Sequence, residues 1–113
     1  MAGESIDAAV LEELESVVGR EVVIDLLASF DSDAENLIAQ VRAAFAAGDV
    51  QALTRATHTL KSTSETFGAR QLGRLCGDVE ALGRGGQLST REQIAAIESE
   101  LSVVRPLLAA RAQ

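Results

Sequence analysis

"REVVIDLLASFDSDAENLIAQVRAAFAAGD", Arg20 to Asp49, is the longest run of helical pattern in the chain. Within it Val23, Leu27, Phe30, Ala34, Leu37 and Val41 recur in alternating steps of four and three, which keeps one face of a helix apolar throughout. The spacing predicts a single helix from Arg20 to Ala47, about 42 Å long at helical rise. An apolar stripe of that length needs other helices along it. Gly48 stands where a left-handed residue ends a helix, and Asp49 is placed to cap the next one.

After this helix, a third runs from about Val50 to Phe67 and a fourth from about Ala69 to Leu82, the latter with Leu72, Leu75, Val79 and Leu82 on one side. The run S-T-R-E, Ser89 to Glu92, has the spacing of a capping box and opens a fifth helix that buries Ile94, Ile97, Leu101, Val104 and Leu108. Pro106 lies inside that pattern, so a kink or an end is expected near Val104. Before the long helix, Ala8 to Val18 forms a short one, with Asp7 as its N-cap and Ile6 and Leu11 as a hydrophobic staple. Gly19, Gly68 and the cluster Gly83, Gly85 and Gly86 end helices as Gly48 does. Nothing alternates with period two for long enough to make a strand. The expected fold is therefore all-α: an up-down-up-down antiparallel four-helix bundle with a short additional N-terminal helix, residues 1–113 forming one domain.

Composition narrows the function. A formal charge of −7 argues against sequence-independent binding to nucleic acid, which depends on neutralising phosphates with cations. Cys76 is the single cysteine and His58 the single histidine, too few for a structural zinc site or an internal disulfide, and a reducing, cytoplasmic setting follows. No run approaches the roughly 20 apolar residues of a membrane span, and the amino terminus lacks the pattern of a secretory signal. A protein partner is the expectation.

His58 sits in "RATHTLKSTSETFGA", Arg55 to Ala69. On a helical wheel Leu53, Ala56, Leu60, Ser64 and Phe67 of that helix share one direction, and His58 lies roughly 150° away from it. Thr54, Lys61, Ser62 and Glu65 share the histidine's face, so the imidazole is presented to solvent. A metal site there lacks a second histidine, Glu65 being two turns away, and a serine nucleophile at Ser62 lacks a residue that orients the ring. Nucleophilic use of the imidazole itself fits better. An exposed histidine, with an ordinary pKa of about 6.5, is largely neutral at pH 7 and keeps a free lone pair. Lys61, the only lysine in the chain, is one turn away and offers an ammonium to a phosphate on the ring, and Ser62 adds a hydroxyl. Ser64 points inward, its hydroxyl bonding back to the preceding turn.

These residues resemble a known signature. The run from Thr57 through His58, Leu60, Lys61, Ser64 and Gly68 is similar to the AHxLKGxSxxxG-like motif of histidine-containing phosphotransfer (HPt) domains, with Thr57 in the alanine position. "LLASFDSDAENLIAQVRAAFAAGDVQAL" looks like the family's long second helix and its turn, and "GARQLGRLCGDVEALGRGG" like its following helix. The likeness runs from about Ile6 to Leu101. It implies that His58 accepts a phosphoryl group from an aspartyl phosphate on a response-regulator receiver domain and passes it to another, with Lys61 holding the phosphate. It also implies that the magnesium belongs to the receiver, that this chain needs no cofactor or metal of its own, and that it has no ATP-dependent kinase activity. This agrees with the lack of a phosphate-cradling G-x-x-x-x-G-K-[ST] loop. Ser62 departs from the family, which usually has glycine there to let the partner approach, and somewhat slower exchange is the expected consequence.

Beside the core stripe, Val22 and Leu26 are surplus apolar area on the second helix, the expected centre of a receiver-docking patch unless the first helix covers them through Leu11, Leu14 or Val18. Thr54, Arg55, Lys61 and Ser62 would form its polar edge, with Glu65, Arg70 and Arg74 nearby, and the cations would steer an acidic receiver. A hybrid sensor histidine kinase is a further expected partner. The competing expectation is a helical adaptor that binds a receiver or sensor kinase without carrying phosphate. A kinase dimerisation domain would complete its bundle from two chains, whereas this chain supplies enough helices alone and is expected to be a monomer.

Overall fold

The structure, a computed structural model, describes residues 5–113; the first four, part of the amino-terminal stretch searched for a secretory signal, lie outside it. Five helices follow in order: α1 Ala8–Val18, α2 Arg20–Ala47, α3 Val50–Thr66, α4 Arg70–Arg84 and α5 Arg91–Arg111, with no strand among the described residues. Successive neighbours α2, α3, α4 and α5 pack side by side, and α5 returns against α2 to close a four-helix bundle. Short connections make each helix antiparallel to the one before. α1 is the additional helix and rests on α2. The 41 Å long axis of the molecule is the length of α2.

The α2 stripe is buried as its spacing predicts, Val23, Leu27, Phe30, Ala34, Leu37 and Val41 all lying in the core. From α3 come Leu53, Ala56, Leu60, Ser64 and Phe67, and the rings of Phe30 and Phe67 meet edge to face with centroids 5.4 Å apart. Asp49 caps α3 by accepting from the Ala52 amide at 3.0 Å.

Gly68, at φ +79°, turns the chain out of α3 while the Ala69 amide donates back to the Ser64 carbonyl. The same corner holds α1: the Asp7 amide donates to the Gly68 carbonyl at 2.9 Å, and Arg70 Nε donates to the Asp7 carboxylate at 2.9 Å. A Cβ on Gly68 would come 2.7 Å from the Asp7 carbonyl oxygen, so both the turn and the docking of α1 require glycine here.

Four local expectations are corrected. The capping box lies one residue later, Thr90 accepting from the Gln93 amide and Gln93 bonding back, while Ser89 is buried. T-R-E-Q satisfies the same spacing as S-T-R-E and starts the helix at Arg91. α5 does not end at Val104 but runs to Arg111. Pro106 is on the exposed side, as is Ser102, whose carbonyl it leaves without a helical partner, while Val104 and Leu108 keep the helix docked. α4 continues through Gly83 to Arg84, and Gly86 at φ +80° makes the turn. Its buried side is Leu72, Gly73, Cys76, Val79 and Glu80, whereas Leu75 and Leu82 are only half-buried.

Candidate functional site

The rotation of α4 has a cause in its sequence. Gly73, Gly77, Glu80 and Gly83 follow one another in steps of four, three and three, which places them along one face. That face meets α3. A Cβ on Gly73 would touch Glu65, one on Gly77 would touch the Lys61 stem, and one on Gly83 would collide with the Thr54 side chain. With three glycines on its side of the seam, α4 approaches α3 closely, and the long side chain of Glu80 is buried there.

Glu80 points at His58. Its Oε2 lies 2.7 Å from His58 Nδ1, with the carboxylate side chain 5 % exposed and the imidazole 57 % exposed. Arg84, one turn further along α4, donates to the same Oε2 from Nε at 3.1 Å and from Nη2. Lys61 Nζ approaches the other oxygen, Oε1, at 3.6 Å, its stem running over Gly77. Burial alone would raise the Glu80 carboxyl, but the hydrogen bonds and charges of Arg84 and His58 outweigh it and hold its pKa below the ordinary value. An ionised carboxylate only accepts, so Nδ1 carries the hydrogen. In a neutral ring that leaves the Nε2 lone pair on the outward edge.

His58 thus stands outward as its helical position predicts, but the ring is not free. Sequence reasoning finds no residue to orient it and misses Glu80, which comes from another helix. Lys61, read as a solvent-facing cation, is paired to that carboxylate. The available signal was the position of Glu80 in line with three glycines.

The other expected site residues are distributed as follows. Arg55 and Ser62 are exposed, one turn before and one turn after His58. Thr54 is half-buried against Gly83, its hydroxyl donating to the Val50 carbonyl at 2.7 Å. Glu65 is exposed beside Gly73, Arg74 is exposed, and Arg70 is engaged with Asp7. Ser64 is buried and its hydroxyl donates to the Leu60 carbonyl at 2.6 Å, as expected. Val22 is 44 % exposed, whereas Leu26 packs against the core. The Phe30–Phe67 contact sets the register of α2 against α3 and puts Val22 about 25 Å along the bundle from the level of His58. The structure therefore does not bring this patch beside the imidazole.

Among the described residues no group of three or more His, Cys, Asp or Glu side chains is placed to hold a metal ion, and no helix is long and apolar enough to cross a membrane. Cys76 is enclosed one turn from Glu80; burial, with the charge of Glu80 adding, pushes its thiol up to about 12, so it stays protonated and inert. The arrangement that remains is an oriented imidazole with its Nε2 edge outward, a carboxylate behind it and cations around it.

Comparison with known proteins agrees with this chemistry. Residues 25–106 match the family described as Hpt domain. The chain is similar to the crystal structure of histidine-containing phosphotransfer protein B (HptB) from Pseudomonas aeruginosa PAO1, with a TM-score of 0.90 and 33 % sequence identity over 99 % of this chain and 97 % of that one. No curated protein matches it.

Proposed function

Because this chain belongs to the Hpt domain family of histidine phosphotransfer proteins, we propose that it carries a phosphoryl group on Nε2 of His58 between aspartates of response-regulator receiver domains. The observation that supports this most is the contact between Nδ1 and Glu80. Nε2 attacks the phosphorus of the aspartyl phosphate, the P–O bond to the aspartate breaks, and its electron pair leaves with the carboxylate. No proton needs to depart. The ring, already carrying hydrogen on Nδ1, becomes a phosphorylated imidazolium, and its new positive charge faces the Glu80 carboxylate at hydrogen-bond distance. Return to a second receiver reverses the same steps.

Lys61 supplies the other half of the charge balance. Its ammonium is loosely held at 3.6 Å from Oε1 and swings to the phosphoryl oxygens as they arrive. Arg55 and Ser62 border the approach, the serine leaving somewhat less room than the family's glycine. In this reading the magnesium belongs to the receiver, the chain acts as a cytoplasmic monomer, and a hybrid sensor kinase feeds the relay. Val22 and Leu26 would then contribute to docking only where a partner reaches well beyond the histidine. An adaptor without phosphate would need neither the oriented ring nor the paired cations.

The test is incubation with a phosphorylated receiver. Acid-labile, alkali-stable phosphate on this chain is the expected result, and its absence with competent receivers would reject the reading.

A further inference from the structure

Glu80 has two oxygens and three cationic or hydrogen-bonding partners, and they divide unevenly. Lys61 takes Oε1, whereas His58 and Arg84 share Oε2. An exposed arginine pairing at i, i+4 ordinarily contributes little, because both groups are solvated and mobile. Here the carboxylate is 5 % exposed and cannot be rehydrated in place, and Arg84 aims two N–H groups at the oxygen the imidazole uses. The groups that face this carboxylate are His58 and Lys61 from α3 and Arg84 and Cys76 from α4; among the described residues no charged group of α5 pairs with it.

We propose that Arg84 is a positioning residue for phosphorylation of His58: its guanidinium fixes Oε2 of Glu80 against Nδ1, so the ring keeps its hydrogen on that nitrogen and turns Nε2 to the incoming phosphoryl group. The inference rests on His58 being the phosphoacceptor. Without the guanidinium the carboxylate can turn about its own bonds and release the ring. With Arg84 on Oε2 and Lys61 on Oε1 both oxygens are held, and Nδ1 meets the same acceptor before and after the phosphoryl group arrives.

Phosphoramidate, a small phosphodonor, labels an accessible histidine without a receiver, and His58 is the only histidine in the chain. Its labelling rate and its ring 15N resonances report on one residue. In Arg84→Ala labelling should slow about threefold or more and the ring should move from the Nδ1–H tautomer toward a mixture of both, while circular dichroism is unchanged. Arg84→Lys should restore most of the wild-type rate and tautomer. An Arg84→Ala rate and spectrum that coincide with wild type would overturn the proposal, as would a lowered melting temperature with no movement of either. Failure of the wild-type protein to label at His58 would instead reject the phosphoacceptor reading on which it stands.

Discussion

Oε2 of Glu80 lies 2.7 Å from Nδ1 of His58, so the imidazole that faces solvent is held by a carboxylate that does not. The pair joins α3 to α4 and links the stability of the bundle to pH. Although burial opposes it, the Arg84 and His58 contacts keep the folded-state pKa of Glu80 below its ordinary 4.5. A lowered folded value means that the unfolded chain binds the proton more readily, so the contribution is fully present above the ordinary value and lost as pH falls through the folded one. Urea midpoints should therefore drop as pH falls below the ordinary value, and the drop should be smaller in Glu80→Gln. Equal drops in both proteins would show that other carboxylates dominate.

Lys61 is half-buried and reaches Glu80 only at 3.6 Å, so its loss should leave the fold intact. In Lys61→Ala, transfer from a phosphorylated receiver should slow roughly ten- to hundredfold, the worth of one charge-assisted contact at about 1.5 to 3 kcal/mol. Circular dichroism should be unchanged. A large fall in melting temperature would show instead that the ammonium is structural.

The glycines of the seam are not equivalent. A Cβ on Gly83 would fall 1.9 Å from the Thr54 hydroxyl oxygen and 3.1 Å from its Cβ, whereas one on Gly77 would meet the Lys61 stem at an ordinary 3.5 Å. Alanine favours a helix over glycine by about 1 kcal/mol, and overpacking costs about 1 to 3 kcal/mol. Gly83→Ala should therefore destabilise the protein on balance, Gly77→Ala should be neutral or stabilising, and Thr54→Ala should rescue much of the Gly83→Ala loss. Chemical denaturation of the four proteins checks this. Equal effects at Gly77 and Gly83 would contradict a closely packed seam.

The sequence made much of this legible because helical periodicity and caps are local properties. The bounds of α1 and α2, the buried faces of α2 and α3, the inward Ser64 and the outward His58 all follow from spacing within one helix. What escaped depends on how two helices meet. Apolar spacing places Leu75 and Leu82 of α4 toward the core, but glycine carries no hydrophobic signal, and the seam of Gly73, Gly77 and Gly83 turns the helix so that Cys76 and Glu80 are buried instead. Gly83 reads as a terminator by composition alone, though it serves here as packing space. The partner of His58 was hidden for the same reason, since Glu80 becomes its neighbour only through that rotation. The extension of α5 past Pro106 likewise depends on which side of the bundle the proline faces.

In the proposed relay the phosphoryl group resides on His58. His58→Gln keeps a polar side chain on the exposed face and should leave the circular dichroism and melting curve of the bundle close to wild type. Exposed in parallel to one phosphorylated receiver, the wild-type chain should gain acid-labile, alkali-stable label and His58→Gln should gain none. Label of equal yield on the folded variant would place the phosphate elsewhere and reject His58 as its carrier.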